Sequence, residues 1–126
     1  MWMFTKLGFI TAVCARKGNG EPWQPVDPDR IAIRTRTRQQ LENLIARFPD
    51  DLGGVPIWDD PLADYRYRIF VPKPTWVRIA AELADEIDYD RFKPAITNFP
   101  GSKEYHDRLL DVWAVMMRSQ HKEAQP

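Results

Sequence analysis

The chain has a single cysteine, Cys14, so no disulfide can close within it, and no cysteine or histidine pair stands at zinc-ligand spacing. Histidine is nearly as scarce. His106 and His121 are the only two, and neither has a ligand partner at metal spacing, so solvated positions are their plain reading. Neither sign of charge is in excess: Lys plus Arg comes to 18 and Asp plus Glu to 18. That balance argues against a general nucleic-acid coat, because nonspecific phosphate binding draws on a basic surplus. No apolar run approaches the ~18 residues that span a bilayer, so no membrane association is expected. The opening Met1–Ala15 is apolar, but it lacks a basic leader and is interrupted by Thr5, Lys6, Gly8 and Thr11, so it is expected to belong to the fold and not to a signal peptide. Repeats and low-complexity stretches are absent too. These absences predict one domain in a reducing cytoplasm, with no metal and no cofactor.

What is present is enough for a core. The 126 residues are 44% apolar and 29% charged, the balance of a globular protein. A chain of this size buries roughly two-thirds of its unfolded surface. Asp64–Pro72 alternates with period 2: Tyr65, Tyr67, Ile69 and Val71 on one side, Arg66, Arg68 and Phe70 on the other. Arg30–Arg36 does the same, with Ile31, Ile33 and Thr35 opposed to Ala32, Arg34 and Arg36. Met1–Arg16 is expected to be one long strand, or two joined at Gly8, and Val55–Trp58 a short edge strand. Lys17–Asp29 is Gly- and Pro-rich loop, with Trp23 the one large apolar ring in it.

Helices are marked by a period near 3.6. Thr37 precedes Leu41, Leu44, Ile45 and Phe48, one stripe with a capping residue in front. Thr75 is the expected N-cap of a second helix, carrying Trp76, Ile79, Ala80, Leu83 and Ile87. Phe92–Phe99 has room for one or two turns, and Ser102 to about Arg118 forms a last helix with Tyr105, Leu109, Val112, Trp113 and Met116 on one face. The expected architecture is a single α+β domain over 1–118 with a flexible tail at 119–126. Its elements run β-β-α-β-β-α-α. The sheet is four-stranded and mainly antiparallel with helices on one face, in a ferredoxin-like arrangement or a permuted variant of it.

Several segments together resemble a family of small bacterial proteins with no settled activity. They are Phe4-Thr5-Lys6-Leu7-Gly8-Phe9 with Val13, Ile33-Arg34-Thr35-Arg36-Thr37, Asp64-Tyr65-Arg66-Tyr67-Arg68, Ile87-Asp88-Tyr89-Asp90-Arg91-Phe92-Lys93, and Val112-Trp113. Arg91 departs from the Asn common at that place. The resemblance implies an intracellular bacterial or phage-borne single domain, and it implies no catalytic residues.

No catalytic residue is assigned. Asp59, Asp60 and Asp64 are close in sequence, and carboxylates can bind a divalent ion or move protons, but Asp in a Pro-containing turn is first of all a turn former. The best candidate surface is the Arg-bearing strand face, Arg34, Arg36, Arg66 and Arg68, with Trp23 beside it. Arg offers a planar fork suited to carboxylate or phosphate. The expected function is a non-enzymatic interaction protein that holds a protein partner on this face, a second copy of the chain included. A nucleic-acid or nucleotide binder using the same arginines is the alternative, and a small metal-dependent hydrolase or nuclease near Asp59–Asp64 a weaker one. Solvated or cross-paired arginines are the plain structural explanation.

Overall fold

The computed structural model describes residues 1–96 and 99–124. Strands β1 (Trp2–Thr5), β2 (Gly8–Arg16) and β3 (Val26–Thr35) lead to helices α1 (Arg38–Arg47) and α2 (Pro49–Leu52). Then come β4 (Trp58–Asp59), β5 (Tyr67–Pro72), α3 (Lys73–Asp85), α4 (Phe92–Ala95) and α5 (Ser102–Ala124). The strands form one open sheet in the order β1-β2-β3-β5-β4, and every neighbouring pair is antiparallel. The fold is thus α+β, with five strands where four were expected.

The fifth strand arises at the N-terminus. Thr5 accepts a hydrogen bond from Leu7 N–H and donates one to the Gly8 carbonyl, turning the chain sharply between β1 and β2. Gly8 makes the turn workable: its φ is +149°, and a Cβ there would lie 2.6 Å from Gln40 Cγ of α1. The expected ferredoxin-like order is not matched as such. β3 and β4 run in the same direction on either side of β5, while β2 lies beside β3 and β1 extends the sheet beyond it.

One sheet face is closed by α1, α2 and α3. Ile10, Ile31, Ile33, Ile69 and Val71 from the strands meet Leu41, Leu44, Leu52, Trp76, Ile79 and Leu83 from the helices, with Ile45 and Tyr67 packed at the margin. α1 starts where expected, Thr37 Oγ1 accepting from Gln40 N–H at 3.3 Å. α3 starts earlier than expected, at Lys73. Pro72 is its N-cap and Pro74 sits in the first turn, so Thr75 caps nothing.

Helices are not confined to that face. Tyr105 and Leu109 of α5 join Ile96 against Phe9, whose side chain points opposite to that of Ile10. Tyr105 Oη donates to the Thr5 carbonyl at 2.8 Å, tying α5 to the β1–β2 turn. Beyond Leu109 the helix leaves the sheet: Trp113 is 54% exposed although it lies on the same stripe. α5 continues through Ala124, into the segment expected to be a tail. Thr97 and Asn98, within the segment where further turns were expected after α4, and Gln125 and Pro126 lie outside the described residues.

Candidate functional site

The second sheet face is built from the alternate positions of the same strands. Register places Arg34 of β3 directly opposite Arg68 of β5, Ala32 opposite Phe70, and Trp58 of β4 opposite Arg68 on its other side. From β2, Phe9, Thr11 and Val13 point the same way, because Thr11 pairs with Arg34 and Val13 with Ala32. The surface is therefore a field of arginine and aromatic side chains, with a small floor at Ala32 and Thr11.

Tyr65 is its centre, and it corrects an expectation. Alternation from Asp64 onward predicts the core face for it, with Tyr67. β5 begins only at Tyr67, so strand alternation does not reach Tyr65, which lies in the turn before it. The residue is 4% exposed, and its ring lies 6.3 Å from that of Phe9 and carries the guanidinium carbons of Arg34 and Arg36 at 4.6 and 4.5 Å from its centroid.

Three of the four arginines expected to share a site gather here. Arg34 Nε donates to Thr11 Oγ1 at 3.2 Å, and that hydroxyl donates to the Arg34 carbonyl, so a fully buried threonine anchors the arm. Arg36 donates to the Asp64 carbonyl at 3.1 Å, and Arg68 Nη2 to the Tyr65 carbonyl at 3.0 Å. Burial, followed by the like charge of Arg68, lowers the Arg34 pKa, and Asp64 and Tyr65 oppose this in part. Arg68 Nε is covered and has no hydrogen-bond partner.

Arg66 is not brought into this group. It precedes β5, lies against the Tyr67 ring, and holds Asp59 through a hydrogen bond of 2.7 Å from its Nε. That bond is the chief cause of the lowered Asp59 pKa and the raised Arg66 pKa. Asp60 and Asp64 act as turn formers, their carboxylates accepting from Leu62 and Tyr65 N–H. Among the described residues, no three His, Cys, Asp or Glu side chains are grouped as metal ligands.

Arg34 and Arg68 open into a concavity of about 1160 Å³, which Arg30, Phe70 and Trp58 also line. Arg30 stacks over Phe70 at 4.5 Å, and Trp58 is 59% exposed. The loop at Gly18–Pro22 walls one side; Trp23 is next in that loop, 75% exposed, and is not part of the lining. Sequence reasoning passed over Arg30 and Trp58. Arg30 has the same parity as Arg34, a signal that was available. Trp58 joins only through its pairing with β5, which the sequence does not display.

No family model matches the chain, and no curated protein or solved structure matches it either.

Proposed function

We propose that the protein is a non-enzymatic interaction module that receives a protein partner on the Arg-bearing sheet face, with the Trp23 loop at its margin. One observation carries this reading: Arg34, Arg36 and Arg68 converge on Tyr65 beside an open concavity, and none of them has a carboxylate partner among the described residues. Arg38, Arg47, Arg66, Arg78 and Arg108 each do have one. These three, clustered on one ring with exposed Trp58 nearby, have the composition of an interface anchor. Among the described residues no helix is long and apolar enough to cross a membrane. A single cysteine suits a reducing compartment, and the proposed setting is the cytoplasm.

Single-stranded nucleic acid is the second reading, since Phe70 and Trp58 lie edge-to-face, 6.3 Å apart, beside the arginines, as stacking platforms for bases would. Asp59, Asp60 and Glu21 line the same concavity and weigh against a continuous polyanion. The experiment is a photo-reactive phenylalanine analogue placed at Phe70, with the same group at exposed Val77 of α3 as control. The expected adduct forms from position 70, is destroyed by protease and not by nuclease, and is lost with Arg68→Gln. Equal adducts from both positions would remove the proposal, and a nuclease-sensitive adduct would replace it with the second reading.

A further inference from the structure

The geometry points to a narrower ligand for this face: we propose that Arg34 and Arg68 seat a phosphate dianion, carried as a phosphomonoester on a side chain of the partner protein. The proposal rests on the protein-partner reading and states what that partner brings.

Two like charges stand directly opposite each other on neighbouring strands, an arrangement that destabilises a sheet. At five arginines elsewhere, Arg38, Arg47, Arg66, Arg78 and Arg108, the chain answers with a carboxylate. Here it answers with neutral groups only. The Thr11 hydroxyl and the Tyr65 carbonyl accept one hydrogen bond each from Arg34 and Arg68, and the Tyr65 ring lies beneath Arg34. Those contacts orient both forks and leave both charges in place. Asp64 contributes a favourable field at Arg34 but forms no ion pair with either side chain. The Arg68 Nε without an acceptor is a buried donor at a loss, which re-seating the fork on an oxyanion would remove.

Charge decides between the anions. A phosphomonoester carries about −1.5 to −2 at neutral pH and offers three acceptor oxygens, enough to answer two guanidinium groups. A carboxylate answers one. A nucleic-acid strand would set its next phosphates against Asp59, Asp60 and Glu21 on the walls of the concavity, whereas a single phosphate on a peptide does not. Phe70 and Trp58 are placed to hold an apolar side chain next to the modified residue.

The test offers the full chain degenerate heptapeptide libraries with a central phosphoserine, phosphothreonine or phosphotyrosine, their unphosphorylated counterparts, and a short single-stranded RNA. At least one phosphorylated library should bind about tenfold or more above its counterpart. Arg34→Gln and Arg68→Gln should each abolish that preference, Arg66→Gln should leave it, and Arg68→Lys, which keeps charge without the fork, should retain only part of it. Thermal melts establish that each variant is folded; should Arg68→Gln melt early, Arg68→Lys carries the comparison. Equal binding of modified and unmodified libraries, or binding of none, overturns the phosphate seat while the cross-link from position 70 still reports on the partner. RNA binding that weakens with salt, at a slope of about −0.7 per phosphate, overturns the seat and the protein reading together.

Discussion

The two faces of this sheet share strands and differ in nearly everything else. Ile31, Ile33, Ile69 and Val71 point toward α1 and α3 and bury aliphatic surface without a polar atom among them. One residue along in each strand, Arg34, Arg68 and Phe70 point away, toward solvent and a concavity. The first face is stabilised by what it excludes. The second keeps unpaired charge, stacked rings and a donor with no acceptor, features that stability alone does not select. The comparison predicts that substitutions on the first face will be costly to folding and silent in binding, and those on the second the reverse.

Ile33→Ala should have the largest effect. The side chain is fully buried at the centre of the sheet, and chemical denaturation should show a loss of ~2–5 kcal/mol. A loss below about 1 kcal/mol would mean that the aliphatic face is not the core. Gly8→Ala comes next. It combines a left-handed φ with a clash against Gln40, so we expect a cost of about 1–3 kcal/mol, read the same way.

Tyr105→Phe removes the hydroxyl that holds α5 to the β1–β2 turn and should cost about 1 kcal/mol. Burial raises the Tyr105 pKa well above the ordinary phenol value, which favours the neutral form in the folded state. Its contribution is complete below the unfolded phenol pKa and is lost as pH rises above it. Unfolding curves at rising alkaline pH should therefore show less loss of stability in Tyr105→Phe than in the wild type, and identical slopes would disprove the assignment.

On the second face the expected effects are small. Arg68→Gln should change stability by less than about 1 kcal/mol, because it relieves the opposition with Arg34 while giving up one hydrogen bond to a carbonyl. A large loss would turn the arginine pair into a structural device and erase the contrast between the faces. Trp23→Ala should be smallest, within about 0.5 kcal/mol, since its ring is mostly in solvent. Its effect is expected in partner binding instead.

Much of this was legible in the residue pattern. Of the period-2 stretches Arg30–Arg36 and Asp64–Pro72, the parts Arg30–Thr35 and Tyr67–Pro72 pair as neighbours, and the stripe Leu41, Leu44 with Trp76, Ile79, Leu83 meets them in one core. These residues encode their own placement because alternation and helical period are local properties, and burying apolar side chains has one economical solution. Arg34 and Arg68 were legible for the same reason: each stands next to a residue that must face inward. Tyr65 and Arg66 were not, because parity has meaning only inside a strand and both lie just before one. The exposure of Trp113 was also hidden, since an apolar stripe records which way a helix could face and not where the sheet ends beneath it. Local chemistry determined the elements and the inward face. Only tertiary register decided that Arg34 would stand opposite Arg68, that Tyr65 would fold under them, and that Trp58 would join from a strand of two residues, because pairing across strands depends on distant parts of the chain meeting in one alignment.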